Sequence, residues 1–472
     1  MRATHRHPAE RAVTGGAGIG RRRRRALLPY LAAVFGAGGG VLAACAAPGQ
    51  PGQGGGPPAG RTVAPVTVRV MDRTGSEEEV YPLRVPPFQE ANPGITVAYE
   101  LSPEWGAPKI TALAAGGGLP DLGHVLVNTQ DYHAFLLQGV LVPVDELVRR
   151  DRLDLRQYYA EAVRSLQVDG RLGGLPYRGY MARIALMYNA ELLKQAGLAA
   201  PGPAWTYDDL ATILPRLTRG AGEGEAAAGL GIGWSELTTM IAVFRAWGGD
   251  VFSADGKRAT LTAPAVGAAL RWHLDRALRE RSLLLGVGSA NPQRSFSEGK
   301  LALWGRNNPG TAGNLVPLRD QLNWGMTLMP RGPGGRRGGM LQSSAMAMTR
   351  DSRLRDQAWR LQQWLTDRET GVQFALASKG SLTPGARPDV YADPRFLGRP
   401  DLPPGVQETA RRAMDEPEPF GLAWNFRGNE VDRLLREVMD RLAGGEQAPE
   451  AGLLQDLERR IQAVLDQPRA GA

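Results

Sequence analysis

Residues 66–101 read VTVRVMDRTGSEEEVYPLRVPPFQEANPGITVAYEL. Val66, Val68 and Val70 alternate with Thr67 and Arg69, the period of a strand with one buried face. Ile95, Val97, Tyr99 and Leu101 repeat the alternation after the turn signal Asn92-Pro93-Gly94. Between the two lies a helix beginning near Ser76, where Glu77, Glu78 and Glu79 suit the positive end of the helix dipole. Pro82 and the pair Pro86-Pro87 each remove a backbone donor, so this helix is expected to be short or kinked. Strand, helix, strand predicts α/β layers with largely parallel sheets.

Further along, Thr206 and Asp209 form a capping box ahead of Leu210, Ile213, Leu214 and Leu217. Val431, Leu434, Leu435, Val438 and Leu442 fall on one helical face. Leu453, Leu454, Leu457, Ile461, Val464 and Leu465 give another after Pro449. No internal repeat is present. At 472 residues the chain exceeds what one hydrophobic core serves, which predicts two lobes.

The formal charge of +8 is placed unevenly. Residues 1–44 hold eight arginines and one acid, a net of +7, leaving +1 for the rest. A phosphate-binding surface needs a surplus of Lys and Arg on one face, and the near-neutral body has none in bulk, so nucleic acid is not an expected partner. Arg21 to Arg25 precede nineteen uncharged residues, Ala26 to Ala44, and then Cys45. A basic start, an apolar stretch and small residues before the cut describe a secretory signal over 1–44. The rival is a permanent membrane span, which Pro29 and the glycines of that stretch make a poor helix. Cys45 is the only cysteine, so it has no internal disulfide partner. Residues 46–60 are a tether of Ala, Pro, Gly, Gln and no charge, with nothing to bury. Arg24-Arg25-Ala26-Leu27-Leu28 also looks like the core of a twin-arginine signal, without the usual preceding Ser or Thr, so the export route stays open.

A search for catalysis returns little. The body has three histidines, His124, His133 and His273, and no metal-ligand spacing. There is no nucleophile elbow and no phosphate-binding glycine loop. Plentiful carboxylates leave a glycosidase pair open without singling out two acids. The expectation is a protein that is not an enzyme, with no cofactor and no metal.

Tryptophan stands out, with ten in the chain. Trp359 and Trp364 have core-like helical spacing, and Trp205 precedes a helix cap. Trp105, Trp234, Trp304 and Trp424 each neighbour Gly, Ser or Asn in segments that read as loops or element ends. Exposed rings there need a cover. A sugar supplies one, its C–H face lying against an indole while its hydroxyls bond polar neighbours. Core packing is an equally weighted alternative for all four.

Several fragments recur in an order that identifies a resemblance. They include Phe88-Gln89-Glu90-Ala91-Asn92-Pro93-Gly94-Ile95, Gly116-Gly117-Gly118-Leu119-Pro120-Asp121-Leu122, and Gly139-Val140-Leu141-Val142-Pro143-Val144-Asp145. Asp169-Gly170-Arg171-Leu172-Gly173-Gly174-Leu175-Pro176-Tyr177, Met187-Tyr188-Asn189, Trp205-Thr206-Tyr207-Asp208-Asp209-Leu210 and Phe296-Ser297-Glu298-Gly299-Lys300-Leu301 follow. Over about 62–465 the chain resembles the extracellular solute-binding proteins of ABC importers, in the carbohydrate-binding branch that includes maltose-binding protein. Leu42-Ala43-Ala44-Cys45 resembles a lipobox, which implies lipidation at Cys45. The three prolines of the first helix and Met71 at the end of the first strand depart from the family pattern.

The resemblance implies an α/β, two-lobe periplasmic-binding-protein-like fold with hinge crossings and an interlobe ligand cleft. One lobe is expected at 62–179 with 345–378, the other at 184–338 with 384–472. Residues 1–44 would be the signal peptide and 45–61 the lipidated cysteine and tether. Crossings are expected near Gly179 to Arg183, Gly339 to Ser344 and Ser378 to Thr383. The implied function is capture of a sugar or oligosaccharide between the lobes and delivery to an ABC permease. The protein would act as a monomer, anchored by lipid on the outer face of the cell membrane. Expected ligand contacts are Asp72, Arg73, Trp105 and Asn128 from the first lobe. From the second come Tyr177 at the crossing, Trp234, Trp304, Asn307 and Trp424. Asp and Asn supply acceptors and Arg a planar donor fork, although Asp72 and Asn128 are equally suited to capping turns. The alternatives are a tethered carbohydrate-active enzyme, a receptor for a peptide or polyamine, and a lipoprotein scaffold.

Overall fold

The computed structural model describes residues 64–127, 130–218, 228–378, 384–416 and 418–470. The basic leader, Cys45 and the tether lie outside the described residues. Among the described residues no helix is long and apolar enough to cross a membrane.

Two five-stranded sheets organise the chain. The first has the order β2-β1-β3-β12-β6, from β1 (Val66–Asp72), β2 (Ile95–Leu101), β3 (Leu122–Val125), β6 (Leu175–Ala182) and β12 (Met340–Met348). The second has the order β11-β7-β10-β8-β9, from β7 (Ala185–Asn189), β8 (Leu230–Gly233), β9 (Leu283–Gly286), β10 (Leu303–Asn307) and β11 (Trp324–Leu328). A small antiparallel hairpin, β4 (Gln167–Val168) with β5 (Arg171–Leu172), stands apart. The fold is an α/β two-lobe architecture of the periplasmic-binding-protein type, one lobe on each sheet.

Both sheets are mixed, which corrects the expectation of largely parallel ones. β1 runs parallel to β2 and β3, and β8 runs parallel to β9 and β10. β12 is antiparallel to β3 and β6, and β7 is antiparallel to β10 and β11. The reason is topological. β6 carries the chain towards the second sheet and β12 brings it back beside β6, so the two pair in opposite directions from Met340↔Ala182 to Met346↔Leu175.

The first helix, Glu77–Ala91, is not short: it runs fifteen residues despite its three internal prolines. Tyr81, Val85 and Phe88 share one buried face, and burying such side chains stabilises by about 1.5–3 kcal/mol each, which opposes a penalty of about 3 kcal/mol for each interior proline. All three prolines are on the exposed side. The Trp364 indole caps the frame from outside, donating to the Arg84 carbonyl at 2.9 Å with the Arg84 guanidinium 4.3 Å over its ring.

Elsewhere local signals and structure agree. The Thr206–Asp209 capping box forms reciprocally at the start of Tyr207–Leu217. The helices Gly428–Ala443 and Ala451–Leu465 bury the predicted leucine faces. The first lobe's core gathers Val68, Val70, Leu122 and Trp359. The second lobe's core gathers Leu186, Ile232, Phe244 and Leu435. A third cluster, with Ile184, Leu341, Val372 and Val390, fills the space where the sheets adjoin.

Candidate functional site

Three parallel strands of the first sheet, β1, β2 and β3, end at one edge, and the segments that follow them converge. Open α/β sheets place ligands outside the carboxyl ends of their strands. Arg73 after β1, Trp105 and Gly106 after β2, Leu126 after β3, and Asp131 line a cavity of about 230 Å³ there. Trp105 is not the exposed loop ring expected: it is 5% exposed and belongs to the first lobe's core. Its indole N–H donates to the His124 carbonyl at 2.7 Å, and its ring packs against Gly123. A Cβ on Gly123 would stand 2.9 Å from that ring, so glycine is what lets the indole reach the sheet.

Asp72 ends β1 on the opposite face and is fully buried. Its carboxylate accepts from the Arg73 backbone N–H at 2.7 Å and from the hydroxyls of Tyr81 and Tyr177, both at 3.0 Å. His124 Nδ1 lies 2.6 Å from Oδ1, the oxygen that also takes the Arg73 N–H, while both tyrosines donate to Oδ2. Burial alone would raise the Asp72 carboxyl, but the His124 imidazole, the Arg73 N–H and the nearby Arg178 charge hold it below its ordinary value. An ionised carboxylate only accepts, so Nδ1 carries the proton of this bond. Burial, with the Asp72 charge, pushes Tyr81 and Tyr177 well up, and both remain donors.

A second buried pair adjoins the first. Glu77 takes the Arg178 guanidinium, which also donates to Ser76 Oγ at 2.9 Å and lies 4.7 Å over the Phe374 ring. Asp72, Glu77 and His124 each bring an atom within 4.8 Å of the others. Carboxylates and an imidazole are the donor set of a cation site, but Arg178 already supplies the positive charge and both Asp72 oxygens are committed. The cluster reads as a buried ion-pair network that fixes residues 72–77, and thereby Arg73, at the sheet edge, with His124 Nε2 left without a partner among the described residues.

The expected contact residues separate accordingly. Arg73 and Trp105 line one cavity, whereas Asp72 faces away from it into the network. Tyr177 is a correction: it sits in β6 and bonds Asp72 of the first lobe, because the second sheet begins only at β7. Asn128 lies outside the described residues. Trp304 is no loop residue; it is inside β10, paired with Met187 and Gly231 and packed 5.7 Å from Phe296. Asn307 is buried behind it and donates to the Trp304 carbonyl at 3.0 Å. Trp234 fills the second core and donates to the Met439 carbonyl at 3.0 Å. For Trp234 and Trp304 the packing alternative describes what the rings do. Trp424 is half-buried, its indole N–H bonded to the Leu465 carbonyl at 2.7 Å, with Lys257 and Arg469 over its ring.

Sequence reasoning missed the residues that join the lobes. Asn429 Nδ2 donates to Asp131 Oδ1 at 2.6 Å, and the Gly428 N–H donates to Gln130 Oε1 at 3.1 Å. Phe426 stacks on His133 with ring centres 5.0 Å apart and planes 7° apart. Burial lowers His133 to about 4, so the stacked imidazole is neutral near pH 7. Arg469 reaches Asp169 at 2.5 Å. These partners are about 300 residues apart in the chain, and no local pattern marks them. Arg306 was missed too: fully buried, it donates to the Arg337 carbonyl at 2.6 Å and to the Tyr207 hydroxyl at 2.7 Å beside the β6–β7 connection.

Residues 74–372 match the profile of the family described as bacterial extracellular solute-binding protein. The chain belongs to that family, whose members are extracytoplasmic binding receptors rather than enzymes. A Brucella abortus protein is 25% identical over 295 residues, 61% of this chain and 68% of its own length. Among solved structures, the GacH receptor of Streptomyces glaucescens superposes with a TM-score of 0.71 at 21% identity, over 86% of this chain and 100% of its own. The maltose/maltodextrin-binding domain MalE of Bdellovibrio bacteriovorus, bound to maltotriose, gives 0.68 at 16% identity, over 85% and 100%. UgpB of Mycobacterium tuberculosis, in complex with glycerophosphocholine, gives 0.70 at 19% identity, over 86% and 99%.

Proposed function

We propose that this chain is the substrate-binding component of an ABC importer and captures a sugar or oligosaccharide between its two lobes for a membrane permease. The observation that carries the reading is the cavity at the carboxyl ends of β1, β2 and β3, whose lining includes Trp105, Arg73 and Asp131. An aromatic face beside charged hydrogen-bonding groups suits a ring of C–H faces and hydroxyls. The structures in complex with acarbose and bound to maltotriose support the same class. Arg73 and Trp105 are the proposed contacts on the first lobe and Trp424 on the second. Asp72 and Tyr177 hold the first lobe's loop in place.

The mechanism is ligand-biased closure: a solute touching both lobes lowers the closed state relative to the open one, and only that differential binding shifts the population. In this reading the lobes are 62–179 with 345–378 and 184–338 with 384–472. The protein works as a monomer, exported by a signal over 1–44 and lipidated at Cys45. Metabolic labelling with a fatty acid that is lost on Cys45→Ser tests the anchor.

Titrating the intrinsic tryptophan fluorescence of the full chain with maltose, maltotriose, glycerophosphocholine, spermidine and a tetrapeptide tests the ligand class. Saturable change with a saccharide alone is the expected result. Saturation by spermidine or the peptide, with silence towards both saccharides, refutes the sugar assignment. Saturation by glycerophosphocholine favours the second reading, a receptor for a polar phosphodiester, which Arg73 at the cavity edge and the UgpB complex support.

A further inference from the structure

We propose that the contact between the start of helix Asp131–Leu137 and the loop entering helix Gly428–Ala443 is a latch. It assembles as the lobes close and sets how much of the solute-free protein is closed. The inference rests on the closure mechanism proposed above and adds a device intrinsic to the chain.

The two segments belong to different cores. Helix Asp131–Leu137 is rooted in the first by Tyr132, Phe135 and Leu136, and helix Gly428–Ala443 in the second by Val431, Leu434 and Leu435. Phe426, on the second segment, nevertheless packs against the first core, its ring flat on His133. Gly428 approaches Gln130 so closely that a Cβ there would stand 2.8 Å from the Gln130 side chain. The outer links, Asn429 to Asp131 and Arg469 to Asp169, are polar and reach the surface. Joints that open and reclose are polar in this way, whereas permanent interfaces are larger and more apolar.

Backbone conformation separates this contact from ordinary packing. Gln130 and Phe426, one on each side of it, both adopt left-handed backbone, at φ 69° and φ 56°. That region is rarely occupied by L side chains, least of all bulky ones, and such residues collect at clamps and switches. Each half of the contact thus carries a backbone cost where the polar links and the stack form, and that cost opposes their stabilisation of the closed state. A latch of this type leaves the two states close in free energy, where a solute's differential binding has the most leverage.

The test uses the full chain as Phe426→Ala and, separately, Asn429→Ala, the latter an exposed side chain whose loss leaves the cores intact. Small-angle scattering without solute is the first readout. The expected result is a larger radius of gyration than wild type for both variants, with unchanged far-ultraviolet circular dichroism. Titration with maltotriose is the second: the apparent dissociation constant rises about threefold to tenfold, because affinity falls with the closed fraction. Scattering curves of both variants that superimpose on wild type overturn the latch. So does an open-state structure that keeps the Phe426–His133 stack. If maltotriose binds neither wild type nor variants, maltotriose is not the solute and the scattering comparison alone decides the latch.

Discussion

Replacing Asp72 by Asn puts the ion-pair network at the end of β1 to a quantitative test. The carboxylate accepts four hydrogen bonds, from the Arg73 N–H, which is part-buried, and from His124 Nδ1 and the Tyr81 and Tyr177 hydroxyls, which are buried. Bonds to a charged group contribute about 1.5–3 kcal/mol each against about 1 kcal/mol for neutral ones. The amide keeps the shape but loses the charge, and its NH₂ must face either the two phenols, which can rotate to accept, or the Arg73 N–H, which cannot. Summed over four weakened bonds and offset by easier burial of a neutral group, the expected loss is about 2–4 kcal/mol. Asp72→Ala, which strands every donor, should cost more, about 4 kcal/mol or above. Urea unfolding followed by circular dichroism measures both.

The pH dependence supplies an independent sign. The folded Asp72 carboxyl lies below its ordinary value, so its stabilisation is present above the unfolded value of about 3.9 and is lost as pH falls through the folded one. Wild type should therefore lose stability as the solution is taken below about pH 4, and Asp72→Asn should flatten that acid limb. An Asn variant within about 0.5 kcal/mol of wild type, with the same acid limb, would show that the network carries no net charge effect and that the reasoning is wrong.

Two further outcomes follow from the same geometry. Gly123→Ala sets a methyl 2.9 Å from the Trp105 ring, which should push the indole into the cavity. Weaker solute binding, by about tenfold, is expected at a stability cost of about 1–3 kcal/mol; unchanged fluorescence titration with every solute would remove Trp105 from the site. Pro86→Ala restores a helical donor on the exposed face of Glu77–Ala91. It should raise stability by about 1 kcal/mol in urea unfolding, the helix gain being reduced by a freer unfolded chain, and a loss instead would mean that the helix needs the proline.

What the sequence carried by itself is local and periodic. The alternation of Val66, Val68 and Val70 is β1, the Thr206–Asp209 pair is a capping box, and the leucine faces after Gly428 and Ala451 are amphipathic helices. Each is written within a dozen residues, because strand and helix expose a face at fixed spacing. Ordered fragments added the two-lobe class. Of the candidate site, the placement of Arg73 and Trp105 after strand ends was legible, and both line the cavity proposed to take the solute.

The remainder was decided by contacts between distant parts of the chain. Whether an indole meets solute or core depends on which carbonyl takes its N–H, and Trp234 finds its partner 205 residues away at Met439. The direction of β12 depends on where β6 runs, so neither strand's own pattern could reveal a mixed sheet. Gln130 meets Gly428 across 298 residues. Hydrophobic periodicity fixes which face of an element is buried, but the identity of the neighbour pressed against that face is set by the packing of the whole chain, and Asp72, Arg178 and Phe426 took their roles from it.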